Sequence, residues 1–163
     1  THPTLREMIE RKNHEVIIRA LAQVDNPNLY YAIAGKGPLK EYLANLAQEL
    51  GVGERVRFLG FRTDVFELYH AADISAFPSK IEGLGLAGVE AMAAGVPLVS
   101  SNVHGILDYV IDGETGYAMK SFIDGTDPSA DAPFDESRSL QAGRRPCSAR
   151  RNARCLYPRR RAL

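Results

Sequence analysis

The first 120 residues alternate between two hydrophobic periods. "NHEVIIRALAQV" sets Val16, Ile17, Leu21 and Val24 at helical spacing, with Asn13 placed to cap the helix. "NLYYAIAG" predicts a buried strand ending at Gly35. "GKGPLKEYLANLAQELG" predicts a turn and a second helix, with Pro38 near its first position and Gly51 past its end. "RVRFLG" reads as a short strand, "TDVFELYHAA" as a helix capped by Thr63 or Asp64, and "DISAFPS" as a strand. "LGLAGVEAMAAG" predicts a helix closed by Gly95, and Pro97 starts the strand "PLVSS". "HGILDYVIDGETGYAM" predicts a short helix, a turn at Asp112–Gly113 and a last short strand. Such alternation predicts an α/β layered fold with a mainly parallel sheet.

The pattern stops near residue 120. Residues 121–163 are rich in Ser, Ala, Pro, Asp and Arg and show no sustained period. That composition buries little apolar surface, so a loosely packed or disordered tail is expected. Two regions follow, a folded domain over 1–120 and an atypical tail over 121–163. The chain of 163 residues suits one ordinary domain, and its 45% hydrophobic and 25% charged content is that of a globular protein.

The formal net charge is zero, which points to neither nucleic acid nor an anionic membrane. The average hides an asymmetry, because residues 138–163 hold nine Arg and no acid. No apolar run is long enough for a transmembrane helix, and the first residues lack a signal-peptide core. Both cysteines, Cys147 and Cys155, lie in the tail. A disulfide framework is not expected, and a cytoplasmic, reducing location fits better.

The chemistry concentrates in "EGLGLAGVEAMAAG". Glu82 is placed in the loop before a helix, and Glu90 one to two turns inside it. Gly83 and Gly85 let backbone approach a ligand, and the first helical N–H groups have no intrahelical partner. Those donors and the positive helix end suit a diphosphate, with each glutamate able to accept hydrogen bonds from hydroxyls on either side. A nucleotide sugar has that shape. The plainer alternative is a solvated Glu82 and an ordinary helical Glu90, although a carboxylate among "LAGVEAMAAGVPLV" is costly unless paired or used. Gly35-x-Gly37 after a strand is equally well a tight turn before a helix. His104 reads as a loop residue near the cleft rather than an acid or base. Neither an Asp-x-Asp motif nor a Cys/His cluster of zinc spacing occurs.

"PSKIEGLGLAGVEAMAAGVPLVSS" resembles the signature of the retaining family 4 (group 1) glycosyltransferases of the GT-B fold. That signature has two glutamates separated by seven residues, then Ala-Met-Ala, Gly and Pro. "KNHEVIIRAL", "GKGPLKEYL", "RVRFLGFRTDVFELYHAADISAFPS" and "NVHGILDYVIDGETGY" continue the resemblance in order, from about Lys12 to Tyr117. It implies one Rossmann-like half of a GT-B enzyme, the donor-binding half. Glu82 then matches the glutamate that meets the transferred sugar, and Glu90 the one on the ribose hydroxyls. Gly83, Leu84, Gly85 and Leu86 match the segment facing the diphosphate, and Lys12 matches a basic residue whose positive charge neutralises the diphosphate as it leaves. Phe61 and Arg62 fall where the nucleotide base sits, and Gly35 and Gly37 join the donor-binding set. The reaction implied is metal-independent hexosyl transfer with retention, from a UDP- or GDP-sugar to a glycan or lipid-linked acceptor. The donor is a substrate, and no cofactor is expected.

The chain departs from the family pattern at several points. Leu84 stands for a usual Phe, His104–Gly105 for two glycines, and Asp108 for a Glu. Glu7 occupies the place of a family Arg, with Arg6 the nearby candidate. The acceptor-binding N-terminal domain is expected to be missing, leaving a chain inactive alone, a fragment whose tail has the composition of a shifted reading frame. Polysaccharide assembly at the inner face of a membrane is the setting the resemblance implies for the parent enzyme. Two other readings stay open: a nucleotide-sugar-binding remnant without transferase activity, and a non-enzymatic protein whose Arg-rich tail binds nucleic acid. No nucleic acid is expected, because those arginines lack a folded motif.

Overall fold

The computed structural model describes residues 7–119. Arg6 and the Arg-rich stretch 121–163 lie outside the described residues, so the expectations for them and for a boundary near residue 120 do too. Among the described residues five strands and four α-helices follow in the order α1 (His14–Gln23), β1 (Tyr31–Ala34), α2 (Lys40–Glu49), β2 (Val56–Gly60), α3 (Val65–Ala71), β3 (Ser75–Phe77), α4 (Leu86–Ala93), β4 (Leu98–Ser101) and β5 (Gly116–Met119). Every strand pairing among the described residues is parallel; helices carry the crossovers as far as β4, and a run of turns carries the chain from β4 to β5. The fold is α/β and Rossmann-like.

The hydrogen-bonded strands form two sets, β1–β2 and β3–β4–β5. Each has its own apolar cluster. Ile18, Leu21, Leu43, Leu46 and Val56 pack around Ile33 of β1. Tyr69, Phe77, Ala87, Ala91, Ile106 and Val110 pack around Leu98 of β4. The segment Glu7–Lys12 links the two. Met8 donates its N–H to the Lys36 carbonyl at 3.0 Å, at the end of β1, and buries its side chain in the first cluster. Three residues on, the Arg11 carbonyl accepts a hydrogen bond from the Lys80 N–H at 2.8 Å, beyond the end of β3. A 3-10 turn, Glu10–Lys12, ends this segment, and Asn13 in the left-handed region turns the chain into α1.

Helix ends differ from expectation where side chains were expected to cap. Asn13 precedes α1 and Asp64 precedes α3, yet neither side chain caps its helix. The Asp64 carboxylate instead takes the Arg62 guanidinium, with Nε at 2.7 Å. Helix α2 begins at Lys40, two residues after Pro38. The C-terminal predictions hold better: Val52 and Gly51 donate to Ala47 and Gln48 at 2.8 and 3.0 Å, the paired bonds of a Schellman motif. Val96 and Gly95 repeat it on Ala91 and Met92 at the end of α4. Residues 104–109 form successive turns where a short helix was expected. Gly105 at φ 82 explains the interruption, since it leaves the helical region.

Candidate functional site

The C-terminal end of β3 runs through Pro78 and Ser79 into the loop that carries Glu82. The 3-10 turn before α1 lies against this loop. Lys12 extends its ammonium to Glu82 Oε1, and the same ammonium sits 5.2 Å from the centroid of the Phe77 ring. Arg11 Nη1 also reaches Glu82 Oε1, at 3.1 Å, and donates to the Ile81 carbonyl at 3.2 Å. Lys80 closes the turn from outside through Glu10 at 3.3 Å. Two cations therefore share one carboxylate whose side chain is only 10% exposed. A carboxylate so shielded from water needs such partners.

Past Glu82 the chain runs through Gly83 and Leu84 to Gly85, the residue before α4. Gly85 has φ 68 and ψ 56, the left-handed region, and no side chain caps the helix. Gly88 donates back to the Gly85 carbonyl at 2.8 Å, while Leu86 and Ala87 have no carbonyl one turn earlier to bond. The helix start thus offers N–H donors and its positive end within a few residues of the Lys12–Glu82 pair. A cleft of about 320 Å3 opens at the loop that carries Glu82, with Lys80, Ile81, Glu82, Asn102, His104 and Leu107 on its walls. His104 stands exposed at that cleft, a loop residue as its surroundings in the chain suggested.

Glu90 lies in α4, half-buried, on the side of the helix that also carries Leu86 one turn earlier. Phe61 and Arg62 lie exposed just after β2, Arg62 held by Asp64. Gly35 donates to the Gly60 carbonyl at 2.6 Å, joining the ends of β1 and β2. The space over Gly37 is filled by the Met8 backbone, which a Cβ there would overlap. Gly37 therefore serves close approach of two chain segments.

Arg11 was not singled out from the sequence, because its neighbour Lys12 carried the motif; the dibasic pair was the available signal. Glu7 is exposed, and its backbone forms a bridge with Lys36. Tyr109 was missed as well, and it touches the helix start: its hydroxyl donates to the Gly85 carbonyl at 3.3 Å. Among the described residues no group of three or more His, Cys, Asp and Glu could hold a metal ion. Nor is any helix there long and apolar enough to cross a membrane.

Residues 3–126 match the family described as glycosyl transferases group 1. The chain belongs to that family. It is 37% identical over 137 residues to the GDP-mannose-dependent alpha-(1-6)-phosphatidylinositol monomannoside mannosyltransferase of Mycolicibacterium smegmatis, covering 77% of this chain and 35% of that one. This group 1 chain therefore spans about a third of the length of that curated relative. Its fold is also that of the Anabaena protein HepE (Alr3699) solved with UDP-glucose, at TM-score 0.71 and 26% identity, over 85% of this chain and 40% of that one. The C-terminal domain of the group 1 protein LpcC from Francisella tularensis aligns at TM-score 0.66 and 22% identity, over 85% of this chain and 77% of the domain. That likeness is one of fold.

Proposed function

We propose that this group 1 domain is the donor-binding half of a glycosyltransferase that moves a hexosyl unit from a UDP- or GDP-sugar to a glycan or lipid-linked acceptor, with retention and without a metal. The observation that carries the reading is the convergence of Lys12 and Arg11 on Glu82 beside the uncapped start of α4. The solved relatives with UDP and UDP-glucose support the donor class. The acceptor is assigned to a second domain, because the chain spans about a third of the relatives' length.

Breaking the bond between sugar and diphosphate puts growing negative charge on the leaving phosphate. Fixed donors stabilise that charge without reorganising, and they do so most strongly where water is excluded. Here Lys12, Arg11 and the first N–H groups of α4 are the donors. Before the donor arrives, Glu82 holds both cations in place. A diphosphate draws them onto its own oxygens, and the freed carboxylate accepts from hydroxyls of the sugar. Glu90 accepts from the ribose hydroxyls, and Phe61 and Arg62 flank the base. Acid–base chemistry by the two glutamates is not required.

Calorimetry with UDP- and GDP-sugars tests the reading. Binding at micromolar to millimolar Kd is expected, with loss in Glu90→Ala. Absence of binding at millimolar concentration would leave the chain a remnant without a donor site. Transfer to an acceptor is expected only with the second domain present.

A further inference from the structure

We propose that Tyr109 is a positioning residue for the diphosphate seat, holding the Gly83–Gly85 loop and the first turn of α4 through its phenol; this rests on the reading of that seat as a nucleoside-diphosphate site. Its hydroxyl donates to the Gly85 carbonyl at 3.3 Å, the same oxygen that accepts the Gly88 N–H at 2.8 Å. One carbonyl thus joins the opening bond of the helix to a side chain from another part of the chain.

The glycines make room for that side chain. A Cβ at Gly85 would lie 3.0 Å from the Tyr109 hydroxyl, and one at Gly88 only 2.7 Å from it. Three positions apart on one face of the helix, the two glycines leave a notch that the phenol fills. Four residues before Tyr109, Gly105 presses its backbone on the Gly83 carbonyl with no space for a Cβ. The same run of turns therefore supports both ends of the loop. That run is itself anchored by fully buried Ile106, which accepts from Tyr109 and Val110 at 3.2 and 3.1 Å.

The Phe77 ring packs on the other side of Gly85, and Tyr69 donates to the Ala87 carbonyl at 2.8 Å, so Tyr109 shares the support of the helix start and is the side chain that bonds the Gly85 carbonyl. Leu84 and Leu86 are 55% and 56% exposed, so their side chains do not pin the loop to the core. The direction of the Leu86 and Ala87 N–H groups depends on the left-handed conformation of Gly85, and rotating that peptide re-aims the donors. Burial, reinforced by the negative charge of Glu82, raises the Tyr109 pKa. The phenol stays a donor through the neutral range.

Calorimetry on the full chain with UDP and GDP, beside uridine and guanosine, reads the effect. Tyr109→Phe is expected to weaken the diphosphates by about threefold to tenfold, the range of one net hydrogen bond. The nucleosides should be unaffected, and hydrogen exchange should quicken over residues 83–88. Gly88→Ala expels the phenol without altering it and should weaken the diphosphates similarly, even if Tyr109→Phe folds poorly. In the double variant the two losses should not add. Equal diphosphate affinity in wild type and Tyr109→Phe, equal loss of nucleosides, or additive losses would overturn the positioning role alone. A wild-type chain that binds neither UDP nor GDP would overturn the donor site and this role with it.

Discussion

Glu82 meets two cations from adjacent positions, Lys12 and Arg11, and is better shielded from water than either. Its charge therefore competes with any diphosphate for the same pair. Glu82→Gln removes the competitor, so bare UDP or GDP should bind severalfold tighter, while the advantage of the nucleotide sugar over the bare nucleotide disappears. Paired titrations of both ligands check this, and unchanged selectivity would count against a sugar contact at Glu82. Tyr109 carries a separate signature. Its folded pKa is raised above the ordinary 10.0, so its contribution is fully present below pH 10 and is lost as pH rises through the folded value. Alkaline unfolding followed by circular dichroism should accordingly be shallower above pH 10 in Tyr109→Phe.

At the scale of elements, helix ends decide where the functional loops point. The Schellman turn at the end of α2 places Gly51 at φ 72 with nothing within 4 Å of a Cβ. Gly51→Ala should therefore cost about 1 kcal/mol from backbone strain alone, visible as a lowered denaturant midpoint with an unchanged slope. Helix α1 is fastened differently. Arg55 donates through Nη2 to the Leu21 carbonyl at 3.0 Å and through Nη1 to the Asn26 carbonyl at 3.0 Å. The first of these bonds satisfies a carbonyl in the last turn of α1 that no later residue of the helix reaches, and the second ties down the loop that follows. Helix α4 has the opposite design, with a closed C-terminus and a start that no side chain caps.

At the scale of the whole molecule, two strand sets with separate apolar clusters are joined through one segment. Met8 is 1% exposed and lies four residues before Lys12. Met8→Ala should cost about 2–5 kcal/mol, as for other large core truncations, and also weaken nucleotide binding by releasing the turn that aims Lys12. Urea unfolding and calorimetry on one variant test both effects. A stability loss with unchanged binding would separate the turn from the core beneath it.

The helices and strands could be read from the sequence because their periods are local, and the two Schellman glycines marked two helix ends correctly. Capping by Asn13 and Asp64 did not follow, since their side chains had other geometry or a nearer partner in Arg62. The turns at 104–109 were misread as helix because the apolar spacing there is helical while Gly105 is not. The family was legible because its motifs are contiguous stretches of chain. By itself the sequence determined the α/β order and the family. Only the tertiary structure decided that Arg11 and Lys12 close on Glu82 across some 70 positions, and that Tyr109 lies against Gly85. Those contacts depend on how separate elements pack, and no local period encodes that.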